Sequence, residues 1–481
     1  MLRSNLQFVG GDPAEPNNIY YQAEILNNRT RDTDFTNVVP LDPFIRFNET
    51  RDTALVRDSS RYEFSIIRFT MNGANKDLPM FIPSIRVGQS DPNLTVYSLA
   101  LTFKQTFNIS TGPFTLELTP NPIFLQYEPE VKNAALAPSP RPPLLEQDLS
   151  SRYYWVLTYS HMVDLVNRTF LLAAQQLFVA FNQAWAAGPA LIPGNPNPFP
   201  TFAAFSAHVA VPQITFDQTS QLFTILADTD AYGAPTADNG YTTQSVEPFI
   251  PVPYAPGVVG FATKPTARMF FNSNMFGLFS NFNSFYYNQT DIPGFATPVP
   301  GGYVNEILFT NNFYTNIVDY RLPPYGGVPP LGIVPIAAQK VYYQNTQDYK
   351  SCDTLWSPVS SIVFTTTLLP IRTENTGQPV IFGDGNLGDS TATSKSAFEP
   401  IITDIALDCE PNGASSYRQF IYYAPSAEYR MSDLSPSRQE IRSFDIQVFW
   451  KNRLDNKLYP VYMYNLSSVS IKCLFRKKLL A

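Results

Sequence analysis

The two clearest strand patterns stand at opposite ends of the chain, and that placement limits the fold more than any other feature. Near the start, Tyr62, Phe64 and Ile66 present one apolar face. At the extreme end, Val469, Ile471, Cys473 and Phe475 present another, with Ser470 and Lys472 on the reverse side. Such alternation marks half-buried antiparallel strands. Neither block alone has enough strands to cover its face, and an isolated strand pair is marginal in water. Packed as two sheets about 10 Å apart, the blocks cover each other. A jelly-roll sandwich builds its sheets from strands distant in sequence in this way. The expected fold class is therefore all-β: a jelly-roll β-sandwich formed by the N- and C-terminal strands, with a large loop-rich insertion carrying one amphipathic helix.

In the first block, strands are expected at Ile19–Leu26, Arg61–Thr70, Leu94–Phe103 and Phe114–Leu118. In the last block they are expected at Ser361–Thr367, Tyr417–Tyr423, Ile441–Trp450, Lys457–Tyr464 and Val469–Phe475. Within Arg61–Thr70 the alternation slips at Ile67, which predicts a bulge or burial on both faces. Within Ile441–Trp450 the side chains of Phe444, Ile446, Val448 and Trp450 share one side. The Pro-rich run 137–143 is a stiff, extended connection. After it, Met162, Val166, Phe170, Ala173, Leu177, Phe181 and Trp185 recur every three to four residues, the spacing of one helix face. Ser160 suits the start of that helix, Asp164 its first turn and Gly188 its end. Beyond it, Gln213–Phe216 and Leu222–Leu226 read as a hairpin around Asp217–Ser220, and Asn274–Phe279 as a helical turn. The expected partition is a discontinuous jelly-roll domain, residues 1–130 and 351–481, with residues 131–350 as an insertion or outer domain whose helix lies near 161–187.

Composition says what surrounds such a chain. Charged residues make up 15% and aromatic residues 14%, with 43 prolines; soluble globular proteins carry roughly 25% charge. Many short strands, long Pro-stiffened connections and a surface covered by neighbouring chains account for all three. Long ordered loops point the same way, because they are uncommon in a compact monomer. The net charge of −7 excludes a nucleic-acid binder by bulk electrostatics. Cys352, Cys409 and Cys473 form an odd, widely spaced set, read as reduced thiols. Residues Met1–Gly11 lack the apolar run of a secretory leader, and no stretch reaches the roughly 20 apolar residues of a membrane span. The seven N-x-S/T sequons, at Asn28, Asn48, Asn93, Asn108, Asn167, Asn288 and Asn465, are expected to be by-products of an Asn- and Thr-rich chain.

Catalytic patterns are missing. The only histidines are His161 and His208, and neither HExxH nor a nucleophile elbow nor a P-loop occurs. His161 is expected to be structural, at a helix start. The run 382–389, with Asp384 and Asp389 among glycines, does not meet the EF-hand order and reads as a surface loop. Glu428 and Asp404 are the nearest candidates for a carboxylate pair, with salt bridges as the expected role. No enzyme, cofactor or metal is expected.

Several segments carry a resemblance. Phe64–Phe69 followed by Leu78–Pro83 resembles the opening strands of the vertex (penton) capsid proteins of virophages, Polinton-like viruses and adintoviruses. The runs Ser360–Pro370, Phe444–Trp450, Leu458–Pro460 and Ser468–Lys472 add to it, and together they cover about a third of the chain. The resemblance implies a structural capsid protein: a jelly roll at the vertices of an icosahedral DNA-virus shell, assembled as a homopentamer and ringed by major capsid protein. It implies a virion location, without a secretion signal. In that setting the basic cluster Arg476, Lys477 and Lys478 is either a solvated tail or a contact to packaged genome or an acidic partner. Three other readings compete: a trimeric double jelly-roll major capsid protein, a secreted glycan-binding β protein, and a viral fibre.

Overall fold

The computed structural model describes residues 16–27, 44–72, 78–86, 94–129, 152–232, 250–287, 300–309, 315–319, 341–349, 356–376, 397–406, 420–425, 430–434, 438–453, 456–463 and 467–478. The chain divides into two compact units. The first comprises Met1–Ile82, Asn133–Leu136 and Trp356–Ala481, and the second Pro83–Lys132 and Ala137–Leu355.

In the first unit the strands of the sandwich are β1 (Asn18–Leu26), β2 (Arg46–Thr50), β3 (Tyr62–Asn72), β4 (Val359–Thr365), β5 (Ile401–Ala406), β6 (Phe420–Tyr423), β7 (Ser443–Asn452) and β8 (Ser468–Lys477). They form two sheets, ordered β1-β8-β3-β6 and β2-β7-β4-β5, and every pairing is antiparallel. Short additions pair with β3 (Ser432–Asp433) and β7 (Leu458–Pro460). Strands that succeed one another along the chain mostly lie in opposite sheets, and the first pairs with the last. That is jelly-roll connectivity, and it confirms the expected fold class.

The pairing follows from the sequence pattern. Ile19, Tyr21 and Ala23 of β1, Phe64, Ile66, Phe69 and Met71 of β3, and Val469, Ile471, Cys473 and Phe475 of β8 are all buried. From the facing sheet, Phe444, Ile446, Val448 and Trp450 are buried as well. Rings meet between the sheets: Phe69 and Phe364 at 4.9 Å, Phe444 and Phe475 at 5.8 Å, Tyr21 and Phe444 at 5.2 Å. Aromatic pairs at such distances add to the burial term. The slip at Ile67 is a bulge: Lys472 stands opposite Arg68 and Cys473 opposite Ile66, so Ile67 has no register partner on β8.

The second unit corrects the expected partition. The boundary near 130 does not match the units, because Ser98–Ile109 and Gly112–Leu118 belong to a different sheet. That sheet runs Ser284–Tyr286, Asn305–Ile307, Thr266–Phe271, Ser98–Ile109, Gly112–Leu118. A second sheet runs Thr315–Asp319, Val341–Thr346, Leu222–Asp228, Gln213–Asp217. Period-two alternation shows that a strand is half-buried and leaves open which sheet buries it.

The helix α1 (Tyr159–Ala187) lays its expected apolar stripe on both sheets. Phe181 and Trp185 meet Phe107 at 5.9 and 5.1 Å, while Tyr159 stacks on Phe216 at 4.0 Å. Its cap is Thr158, two residues before the expected Ser160, and the Thr158 hydroxyl accepts from the His161 N–H. Gly188 does end the helix, but with φ −127°, not in a left-handed cap. The expected hairpin is present as Gln213–Asp217 and Leu222–Asp228, with Asp217 accepting from the N–H groups of Thr219 and Ser220. The helical turn falls at Ser273–Leu278.

Candidate functional site

The basic cluster is not a tail. Arg476 and Lys477 are the last residues of β8, held between β1 and β3. Arg476 stands opposite Glu63 and donates to it through Nε and Nη2, at 3.3 and 3.1 Å. The Lys477 N–H donates to the Asn17 carbonyl, and the Lys478 N–H to the Arg61 carbonyl. Lys478 Nζ lies 3.1 Å from Asp433. Arg476 and Lys478 thus have carboxylate partners on neighbouring elements, and the backbone of the cluster completes the sheet.

Sequence reasoning missed two polar centres. Asp445, fully buried near the start of β7, receives the hydroxyls of Thr366 and Thr367 and the N–H groups of Thr367 and Leu368, all at 2.8 Å, with Gln447 Nε2 at 3.1 Å. Burial pushes the carboxyl up, but the donors outweigh burial and hold it below its ordinary value. The carboxylate fixes the turn that follows β4. The signal was legible: an acid between Phe444 and Ile446 in a strong strand, and a threonine run before Pro370.

In the second unit Arg268 grips Glu306 with both Nε and Nη2, and Nη2 also donates to the Tyr287 hydroxyl at 3.3 Å. Both ions are buried. Burial, and next the Glu306 carboxylate, push the Tyr287 phenol up. Positions 268 and 306 lie on paired strands and 38 positions apart in sequence, so their meeting was not legible.

The remaining candidates are placed as follows. His161 is buried at the start of α1 with Nε2 2.6 Å from the Glu128 carbonyl oxygen, and His208 lies with Nε2 2.9 Å from Gln105 Oε1, stacked on Phe261. Asp404 is exposed, 3.8 Å from Arg430. Glu428, the run 382–389, Cys352 and Cys409 lie outside the described residues, as do the sequons at Asn28, Asn93, Asn288 and Asn465. Asn167 donates to and accepts from Ile214, and Asn108 donates to Val252, so both amides are engaged in the fold. Among the described residues, no group of three or more His, Cys, Asp or Glu side chains is placed to hold a metal ion. No helix among them is long and apolar enough to cross a membrane.

A jelly roll closed by its own chain ends, with its polar groups spent on holding strands and turns, defines a β-sandwich of the kind found in viral shells and lectins. The comparisons narrow this class. Residues 19–477 match the family of Sputnik minor capsid protein V18/19, and the chain belongs to that family. It is a capsid protein of virophage type. Among solved structures it is similar to a chain of the Sputnik virophage determined by cryo-EM at 3.5 Å, with TM-score 0.58 and 18% identity over 96% of this chain and 99% of that one. It also aligns with the selenomethionine-labelled mavirus penton protein, with TM-score 0.44 and 13% identity over 96% of this chain and 99% of that one. No curated protein matches it in sequence.

Proposed function

We propose that this chain is the vertex subunit of an icosahedral virophage-type shell, assembled as a homopentamer and seated among major capsid subunits in the virion. The observation that carries the reading is the single jelly roll formed by the two chain ends in a member of a minor capsid family. A double jelly-roll major capsid subunit needs two consecutive eight-stranded sets. Among the described residues, the second unit has a different sheet order and a long helix against both sheets. The role is structural: no catalysis, cofactor or metal belongs to it. Electron microscopy of the purified protein tests the symmetry, with five-fold rings expected; three-fold particles would favour the major-capsid reading.

Contact of Arg476, Lys477 and Lys478 with packaged genome belongs to this reading only as an exchange. Glu63 and Asp433 would release Arg476 and Lys478 to phosphates. DNA binding that weakens with salt at a log–log slope of about −2 to −3, the release of two or three counterions, would support it. A slope near zero would remove it.

A further inference from the structure

The bulge in β3 decides which side chains reach the outer face of its sheet. Beyond Ile67, Phe69 and Met71 are buried in the core, so Arg68 and Thr70 point outward. On β8 the core residues are Val469, Ile471 and Cys473, which turns Ser470 and Lys472 outward as well. The register sets Arg68 opposite Lys472 and Thr70 opposite Ser470. A guanidinium, an ammonium and two hydroxyls therefore share one block on the two inner strands of the sheet. Bulges re-aim side chains in this way beside functional sites.

The block breaks two rules of strand pairing. Like charges directly opposite one another, with Cβ atoms about 4.5–5.5 Å apart, destabilise a sheet. Enclosed polar atoms are normally hydrogen-bonded, but Arg68 Nε and Ser470 Oγ are both enclosed without a partner. Among the described residues neither Arg68 nor Lys472 forms an ion pair, and Lys472 Nζ lies over the Tyr20 ring, 5.2 Å from its centroid. Farther along, by contrast, Arg476 holds Glu63 and Lys478 holds Asp433. The acid nearest in register is Glu24, opposite Ser470 on β1, and its Oε1 accepts from Gln22 Nε2 at 2.8 Å.

We propose that Arg68, Thr70, Ser470 and Lys472 form a binding site for a phosphate group. Four donor groups on two strands suit the three free oxygens of such a group. An oxyanion between the strands would accept from the guanidinium, the ammonium and the hydroxyls, satisfy both enclosed atoms and cancel the repulsion. Unlike the contact considered for Arg476 and Lys478, it displaces no carboxylate. The site is independent of the number of copies in the assembly.

The test is a thermal melt and a calorimetric titration of the purified chain in an amine buffer without oxyanions. Inorganic phosphate and a dinucleotide phosphodiester are the probes, and sodium chloride at matched ionic strength is the reference. Inorganic phosphate should bind once per chain and raise the melting temperature above the chloride reference. Arg68→Gln and Lys472→Gln should each weaken binding about tenfold or more, the loss of one charge-assisted contact, and remove that rise. In chloride alone both variants should melt at or above the parent temperature, because each relieves the like-charge pair. Glu24→Gln should tighten binding, since it removes the carboxylate beside Ser470. Dinucleotide binding that depends on the same residues assigns the phosphate to a nucleic-acid backbone, and binding of inorganic phosphate alone assigns it to a free anion. The proposal is overturned if neither probe shifts the melt beyond chloride, or if both variants bind like the parent chain. It is overturned too if both variants melt below the parent in chloride, which would make the cation pair a structural one.

Discussion

The ring of Phe64 lies 4.6 Å from the ring of Phe475, centroid to centroid, and the two are register partners on β3 and β8. Both are fully buried. Phe475→Ala should therefore cost about 3–5 kcal/mol, the range for a large aromatic removed from a core. Truncating residues 466–481 should do more, because it removes the strand between β1 and β3. Denaturant unfolding and hydrogen exchange check this: protection in β1 and β3 should be lost together. Persistence of protection there would show that the N-terminal strands hold without β8.

Asp445 is expected to tie the turn after β4 to the sheet. Asp445→Ala leaves the Thr366 and Thr367 hydroxyls and two N–H groups without their acceptor and should destabilise by about 2–4 kcal/mol. The parent chain should also show an acid-side loss. A carboxyl held lower in the folded state stabilises at pH above its unfolded value, and that stabilisation disappears as pH falls through the folded value. Asp445→Asn should flatten this dependence in melting curves recorded at falling pH. An unchanged slope would assign the acid-side loss to other carboxyls.

The Cys473 thiol is fully buried, and burial pushes it up, away from the thiolate form. In a Cys352→Ser/Cys409→Ser background, iodoacetamide should leave the native protein unlabelled and modify Cys473 only on unfolding. Mass spectrometry reads the result directly; rapid native labelling would mean that the β8 core opens.

In the second unit, Arg268→Ala strands the Glu306 carboxylate in the interior and should cost about 3–5 kcal/mol. Replacing both ions with apolar residues, Arg268→Met with Glu306→Leu, should recover most of that loss. Unfolding monitored by exchange in Thr266–Phe271 separates the outcomes. A double variant as unstable as the single one would show that Arg268 matters through its packing on Phe270.

Much of this was written in the sequence, and the gaps have physical causes. Period two located β3, β7 and β8 with their buried faces, and the slip at Ile67 marked the bulge. The helix stripe from Met162 to Trp185 gave α1 almost to the residue. Thr158 was missed because Thr158 and Ser160 both suit a cap, and only the chain's path selects one. Ser98–Leu118 went to the wrong sheet because alternation carries no address. The basic cluster read as a tail because Glu63, Arg476's partner, is 413 positions away in sequence. The ion pair of Arg268 and Glu306 was invisible for the same reason, since charges that meet only through strand pairing leave no local signature.

The central claim is that this capsid protein works as a five-copy vertex subunit. Native mass spectrometry of the purified chain tests it most directly. The account predicts a dominant species at five times the chain mass, dissociating to protomers without stable dimers or trimers on the way. A stable monomer at micromolar concentration, or a dominant trimer, would contradict it.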